Sequence, residues 1–275
     1  MGEQAERARL FEQLHHDRRP LLLPNPWDRG SAKLLASLGF RALATTSSGS
    51  AATLGALDGA IGREHALAQA AEIVSATDLP VSADLENGFA GDAEGVARTV
   101  RAAIEVGLAG CSIEDFSGDP AAPIYESAQA VERVAAAAEA AHGSGGRLVL
   151  TARAENHLHG RADLDDTIAR LQAYERAGAD VLYAPGLTEL EDIRRVVDAV
   201  GVPVNVLARP GVPSVDELAS VGVARVSVGG GFAFAALGAL VEAGEELRER
   251  GTYGYWEHAK IGAAAARRAF ERPSG

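Results

Sequence analysis

The chain has 275 residues, of which 47% are hydrophobic and 23% are charged. This length and composition fit a large α/β domain with a sizeable core and exclude a mainly disordered chain. A net charge of −12 disfavours a nucleic-acid-binding surface, which needs clustered basic residues. The single cysteine excludes an internal disulfide and a cysteine-based zinc site.

The sequence also lacks the features of a membrane or secreted protein. No run of about 18 apolar residues occurs, so we expect no membrane span. The first twenty residues contain early acidic residues and no apolar segment of the kind that a signal peptide needs. These features predict a cytoplasmic protein that does not associate with membranes.

Apolar runs alternate with Ala-rich segments of helical period along the chain, beginning with an amphipathic helix over residues 1–18. Eight candidate strands follow, at residues 19–28, 42–49, 79–88, 110–115, 147–156, 180–186, 202–208 and 224–231. A helical segment follows each strand, and several of these segments end on glycine, the usual residue just beyond a helix C-terminus. Further helices are expected over residues 232–272.

This alternation predicts the fold. Strands that are apolar throughout and separated by helices indicate a parallel sheet covered on both faces. Eight such units predict a single (β/α)₈ TIM barrel over residues 1–275, with extra C-terminal helices. An open doubly wound sheet is the alternative, and it is weakened because no G-x-G-x-x-G motif opens the first helix.

Polar side chains follow three consecutive strands at the points where each strand is expected to end. They are Asp84 and Glu86 after the third strand, Glu114 and Asp115 after the fourth, and Arg153, Glu155 and Asn156 after the fifth. Barrel enzymes place their active sites at the C-terminal ends of the strands, so we expect these side chains to share one mouth.

Asp84 and Glu86 are two residues apart, so in a strand they would point to the same side. Like charges this close repel each other, and a hard divalent cation bound through oxygen would resolve the repulsion. Mg²⁺ is the natural choice because it keeps several waters. The alternative interpretation is that these acids cap helices or face water.

The segments 84–88 (D-L-E-N-G) and 112–115 (S-I-E-D) resemble motifs of the isocitrate lyase/phosphoenolpyruvate mutase superfamily. Further similar segments occur at residues 21–59, 149–156, 174–187 and 225–240. The resemblance covers roughly residues 20–245. It implies a Mg²⁺-dependent TIM-barrel enzyme.

The resemblance implies a metal-binding role for the acidic residues. Asp84 would bind Mg²⁺ directly, and Glu86 and Glu114 would act mainly through bound waters. Asp58 would also contact the metal-bound waters. Asp58 and Glu114 are both predicted to be catalytic residues. The superfamily usually has Asp where this chain has Glu86.

The resemblance also implies a substrate-binding role for residues near the second and fifth strands. Thr46, Ser47 and Ser48 would hold a substrate carboxylate through backbone N–H groups and hydroxyls. Arg153 would be both a binding and a catalytic residue, because its fork suits carboxylate or phosphonate groups. Trp27, at the end of the first strand, is a candidate wall of the pocket.

The implied chemistry is cleavage or rearrangement of a C–C or P–C bond in a small 2-oxo or 2-hydroxy (di)carboxylic acid. A 2-oxo acid chelates Mg²⁺ through its carboxylate and keto oxygens. Breaking the bond beside the carbonyl leaves an enolate, and the metal and Arg153 would stabilise its negative charge.

One part of the sequence departs from the superfamily pattern. Its lyases carry a Lys-Lys/Arg-Cys-Gly-His loop after the fourth strand, and the cysteine of that loop supplies a proton. Residues 116–140 contain no such motif, and Cys111 lies before Glu114 as an expected core residue. Side chains considered as replacement acids or bases are those of Ser117, Asp119, Tyr125, His157 and His159.

Other functions therefore remain open. A catalytically reduced protein of the same superfamily would bind 2-oxoglutarate or oxaloacetate without turnover. A class II-type aldolase barrel is disfavoured, because the predicted mouth lacks the histidine-rich metal site of those enzymes. The resemblance further implies a homo-oligomer, either a dimer or a tetramer, assembled through the C-terminal helices.

Overall fold

A computed structural model describes residues 2–143 and 147–271, so residues 1 and 272, the ends of two predicted helical segments, lie outside it. The strands are β1 (Leu21–Leu23), β2 (Leu43–Ala44), β3 (Val81–Asp84), β4 (Gly110–Glu114), β5 (Val149–Arg153), β6 (Val181–Tyr183), β7 (Val204–Leu207) and β8 (Arg225–Ser227). The helices are α1 (Glu3–Leu14), α2 (Arg29–Ser37), α3 (Ser47–Thr53), α4 (Arg63–Val74), α5 (Ala93–Glu105), α6 (Ser127–His142), α7 (Leu164–Arg176), α8 (Leu190–Ala199), α9 (Val215–Ser220), α10 (Gly231–Arg250) and α11 (Trp256–Phe270).

The eight strands form one parallel sheet in the order β1-β8-β7-β6-β5-β4-β3-β2. The N–H of Ala44 donates to the carbonyl of Pro24 at 3.0 Å, which brings the two ends of the sheet together. The sheet is therefore a nearly closed barrel, and the TIM-barrel prediction is confirmed. Every strand lies within its predicted range but is shorter, because most predicted ranges extend into the turn residues that flank the hydrogen-bonded ladder.

Helices begin where the sequence supplies a capping side chain. Asp28 caps α2 by accepting a hydrogen bond from the N–H of Ser31 at 2.6 Å. Asp92 and Asp163 cap α5 and α7 in the same way. Each cap fixes the residue at which a helix begins, and so fixes the length of the loop between that helix and the strand before it.

The core lies between the outer face of the barrel and the surrounding helices. It contains fully buried apolar residues of β4, β5 and β6, including Ile113, Leu150 and Leu182. Cys111 is also fully buried in this layer, which confirms that it is a core residue. Burial raises the pKa of its thiol, so Cys111 is not a nucleophile or proton donor at the mouth.

The helices α10 and α11 confirm the predicted C-terminal helices, with α10 starting one residue earlier than expected. The helix α11 packs against α2. Ala233 is the only buried residue of α10, although this helix carries large apolar side chains such as Phe234 and Leu240. Among the described helices, none is long and apolar enough to cross a membrane.

The helix α1 closes the floor of the barrel through His15, which is 4% exposed. Its Nδ1 lies 2.7 Å from the carbonyl of Phe11, and its Nε2 lies 3.1 Å from Nη1 of Arg225. Because a carbonyl and an arginine sit on opposite sides, the ring is neutral, with the proton on Nδ1. Burial, followed by the charge of Arg225, lowers the pKa of His15 to about 3.

We expect acid to destabilise the fold through His15. Below pH 6.5 the unfolded chain protonates this histidine and the folded chain does not, until the pH reaches about 3. The free energy of unfolding should therefore fall by about 1.4 kcal/mol per pH unit in this window from His15 alone. Chemical unfolding at several pH values should show a shallower decline for His15→Gln. The exposed neighbour provides the control His16→Gln, which should match wild type, and an unchanged slope in His15→Gln would contradict the assignment.

Candidate active site

The polar side chains predicted to share a mouth do meet at the C-terminal ends of neighbouring strands. Asp84 ends β3, Glu114 ends β4 and Arg153 ends β5. Glu114 and Arg153 are partners in the β4–β5 ladder, so their side chains start from adjacent positions.

Arg153 is the centre of this cluster. Its Nη1 lies 2.9 Å from Oδ1 of Asp84, its Nη2 lies 3.2 Å from Oε2 of Glu114, and its Nε lies 2.7 Å from Oε1 of Glu155. The guanidinium also lies over the ring of Tyr183, 5.2 Å from its centroid. One arginine thus binds three carboxylates from the ends of β3, β4 and β5, which fixes the geometry of the mouth.

The pairing of Asp84 with Glu86 does not arise from strand alternation, so the predicted cause of it is wrong. The strand β3 ends at Asp84, and Glu86 lies in a turn with a φ of 48°, so strand alternation does not place their side chains. The turn itself brings the two residues together, because the N–H of Glu86 donates to Oδ1 of Asp84 at 3.3 Å.

Burial and like charges raise the pKa values of three acids in this cluster, Glu86, Glu114 and Glu155. The pKa of Glu86 is raised to about 7, mainly by burial and then by the charges of Asp84 and Asp58. Burial also holds the pKa of Glu114 well above its usual range, against the opposing effect of Arg153. Oε1 of Glu86 is buried with no hydrogen-bond partner.

A divalent cation at this mouth would need oxygen ligands from the acidic cluster. Over residues 2–143 and 147–271, no three His, Cys, Asp or Glu side chains form a metal-binding group on their own. Mg²⁺ does not require one, because it is usually bound by one or two carboxylates and several waters. The orphaned oxygen of Glu86 and the excess of carboxyl groups around Arg153 fit a cation held largely through water. Asp84 would be its direct ligand.

The residues after β2 form a helix start rather than the end of a strand. Thr46 is the N-cap of α3, and its Oγ1 accepts a hydrogen bond from the N–H of Gly49 at 3.3 Å. Oγ of Ser47 donates to Oδ2 of Asp84 at 3.0 Å. The predicted strand over 42–49 is too long, because a Thr-Ser-Ser sequence caps a helix better than it extends a sheet.

A cavity of about 200 Å³ opens at this mouth. Of the predicted site residues, it is lined by Thr46, Ser47, Ser48, Asp58, Asp84 and Arg153. Glu86 and Glu114 lie beside it and reach it through their interactions with Asp84 and Arg153.

Trp27 is not brought into the lining of this cavity, contrary to its predicted role as a wall. Its backbone is held by local contacts instead, since its N–H donates to Oγ of Ser31 and its carbonyl accepts from Gln69. Its Cβ packs close to Gly49 at the start of α3. Trp27 therefore supports the α3 turn rather than the pocket.

None of the five candidate replacements for the missing cysteine lines the cavity. Ser117 and Asp119 hydrogen-bond within an exposed turn. The ring of His159 stacks on Phe116 with 3.9 Å between centroids. His157 packs against Gly186, and the ring of Tyr125 lies under the guanidinium of the buried Arg133.

Sequence reasoning missed several polar residues that line the cavity, among them Asn25, Tyr183 and Arg225. Oδ1 of Asn25 accepts hydrogen bonds from the N–H groups of Val228 and Gly229, at 3.0 and 2.9 Å, and so ties β1 to the loop after β8. For Asn25 and Tyr183, a polar residue within an otherwise apolar predicted strand was the available signal.

Comparison with known proteins is consistent with this geometry. The family model described as phosphoenolpyruvate phosphomutase matches residues 11–248. The 2-methylisocitrate lyase of Escherichia coli is 32% identical over 85% of this chain and 81% of its own length. The oxaloacetate decarboxylase of Paraburkholderia xenovorans is 34% identical over 76% of this chain and 71% of its own length. A crystal structure of a candidate lyase/mutase from Burkholderia cenocepacia is 51% identical, covers 99% of both chains and has a TM-score of 0.95.

A TIM barrel with an acid-rich mouth around one arginine, and with these relatives, defines an enzyme of the lyase or mutase type. The chain belongs to the isocitrate lyase/phosphoenolpyruvate mutase superfamily, which confirms the resemblance seen in its sequence.

We expect Arg153→Met to destabilise the protein by about 3 kcal/mol or more, because it leaves three buried or half-buried carboxylates without their partner. Adding Glu114→Gln should restore part of this loss, since a neutral amide needs no counter-charge. Urea unfolding measures both effects.

The matched control is Arg195→Met, which removes the exposed ion pair with Asp165. It should change the free energy of unfolding by less than about 1 kcal/mol. If Arg153→Met unfolds at the same urea concentration as this control, the cluster does not hold the mouth together.

Proposed function

We propose that the protein is a Mg²⁺-dependent enzyme that cleaves or rearranges a bond beside the carbonyl of a small 2-oxo or 2-hydroxy (di)carboxylic acid. The observation that carries the proposal is the meeting of Asp84, Arg153 and the hydroxyls of Ser47 and Ser48 at one cavity. The names of the relatives, 2-methylisocitrate lyase and oxaloacetate decarboxylase, support this substrate class.

Each element of the site has a defined task in this proposal. Ser47 and Ser48, at the first turn of α3, donate hydrogen bonds to the substrate carboxylate. Arg153 stabilises the negative charge that develops on the keto oxygen when the neighbouring bond breaks. Asp84 would hold Mg²⁺, with Glu86 and Glu114 orienting its waters and Asp58 also contacting them. When bound, Mg²⁺ supplies Lewis-acid stabilisation of the same charge.

A second candidate is a binding protein of the same superfamily that holds 2-oxoglutarate or oxaloacetate without turnover. The observation that favours it is the missing cysteine loop, together with the placement of Asp119, His157 and His159 outside the cavity lining. Both candidates use the same binding residues and differ only in whether a proton is delivered.

The two candidates are separated by an activity panel of oxaloacetate, 2-methylisocitrate, isocitrate and phosphonopyruvate, assayed with Mg²⁺ and with a chelator. We expect Mg²⁺-dependent turnover of at least one of them. Asp84→Asn should lower kcat/KM by roughly 100-fold or more, the scale expected when one electrostatic group of a site is removed.

The exposed acid Asp165 offers the control Asp165→Asn, which should leave kcat/KM unchanged. Turnover that persists in the presence of the chelator would contradict the metal-dependent mechanism. Mg²⁺-dependent binding of oxaloacetate without any product would instead establish the binding protein.

We infer that α10 packs against a second copy of the chain. Most of the stability of a helix in a protein comes from packing of its apolar side, and this 20-residue helix has one buried residue, so a partner surface would supply that packing. Phe234, Leu237 and Val241 recur at helical spacing and are between 40% and 57% exposed. Their continuity with further exposed apolar residues of α11 fits a homo-oligomer, either a dimer or a tetramer.

Light scattering should give a mass of at least two chains, and the double variant Leu240→Glu/Val241→Glu should be a monomer. Val215→Glu, on the short helix α9, introduces the same charge at an exposed apolar position and should leave the mass unchanged. A monomeric wild type would contradict the assembly.

A further inference from the structure

The interior of this barrel is polar at the depth where aliphatic side chains usually fill such barrels. Ser82, Ser112, Asn205 and Ser227 line the cavity below the mouth. Three of these residues are serines, too small to fill the space between the strands. The cavity therefore extends downward from Ser48 and Arg153 until it reaches Arg225, which forms its floor.

Arg225 is a buried cation without an acidic partner. Its side chain belongs to a residue that is 4% exposed at the start of β8. Its Nε donates to Oδ1 of Asn205 at 2.9 Å, its Nη2 donates to Oγ1 of Thr151 at 3.0 Å, and its Nη1 lies 3.1 Å from Nε2 of His15. All three partners are neutral, and within residues 2–143 and 147–271 no acidic side chain pairs with this guanidinium.

The floor thus differs from the mouth in its charge balance. At the mouth, three carboxylates surround Arg153. At the floor, burial and the positive charge of Arg153 both lower the pKa of Arg225 to about 10, so its guanidinium stays charged at neutral pH. A guanidinium has five N–H groups, and the three hydrogen bonds leave two of them to meet a ligand. A buried charge without a counter-ion is costly, so an anion entering from the cavity would be stabilised here.

We propose that the floor is a second carboxylate subsite, at which Arg225 binds the distal carboxylate of a 2-oxo dicarboxylic acid. The proposal rests on the proposed function, because the 2-oxo acid end of the same molecule occupies the mouth between Ser47, Ser48 and Arg153. Ser112, which lines the cavity between the two ends, lies along the carbon chain of the ligand. The subsite makes the enzyme selective for dianionic substrates over monocarboxylates of equal length.

Calorimetry with matched ligand pairs tests this subsite in the presence of Mg²⁺ and without chloride. The pairs are oxaloacetate with 2-oxobutyrate, and 2-oxoglutarate with 2-oxopentanoate, which differ only in the distal carboxylate. For at least one pair, wild type should bind the dicarboxylate roughly tenfold or more tightly, the scale of a hydrogen bond to a charged group. Equal affinities within both pairs overturn the subsite and leave the proposed function standing. If no ligand of either pair binds, the proposed function fails and the subsite fails with it.

Variants then test whether Arg225 causes the tighter binding of the dicarboxylate. Arg225→Met should abolish the difference within the pair and keep the affinity for the monocarboxylate. His15→Gln changes a partner of Arg225 that does not line the cavity. This variant keeps the guanidinium of Arg225 and should still bind the dicarboxylate more tightly than the monocarboxylate. If both variants lose the preference equally, or if Arg225→Met keeps it, Arg225 is a structural residue only. Ser112→Val narrows the cavity without touching Arg225 and should reduce the preference, which keeps the test valid if Arg225→Met does not fold.

Discussion

The mouth of this barrel depends on one ion cluster, in which the guanidinium of Arg153 binds Asp84, Glu114 and Glu155. With Glu86 added, four carboxyl groups crowd around a single positive charge, and the raised pKa values of Glu86 and Glu114 express that excess. A divalent cation at Asp84 would offset the excess and release Arg153 toward a ligand. The same cluster therefore holds the strand ends together and leaves an excess of negative charge that a cation would neutralise.

The cavity carries opposite charge balances at its two ends. Acidic groups dominate the mouth, whereas Arg225 at the floor meets only neutral hydrogen-bond acceptors. Small serines on β3 and β4 keep the space between these ends open. A barrel interior filled with branched aliphatic residues would be more stable but could not hold an elongated dianion. The polar interior is thus a cost to stability that makes sense only if the cavity binds a ligand.

Much of the fold and part of the site could be predicted from the sequence. The eight strands were found because each is an apolar run bounded by helical segments, and Asp84 and Arg153 were found because they follow such runs. Glu86 was paired with Asp84 for the wrong reason, because its left-handed backbone is set by the turn that follows β3. Arg225 was missed, because its burial depends on His15, which lies 210 residues away in the chain. Local sequence patterns carry no information about such contacts.

The central claim is that Asp84 anchors a divalent cation at the mouth of the barrel. Electron paramagnetic resonance of Mn²⁺ titrated into the protein, with Mn²⁺ as the probe for Mg²⁺, tests it most directly. The account predicts one bound Mn²⁺ per chain in wild type and in Asp165→Asn, and a large loss of affinity in Asp84→Asn. Equal Mn²⁺ binding by Asp84→Asn and wild type, or no binding by either, would contradict it.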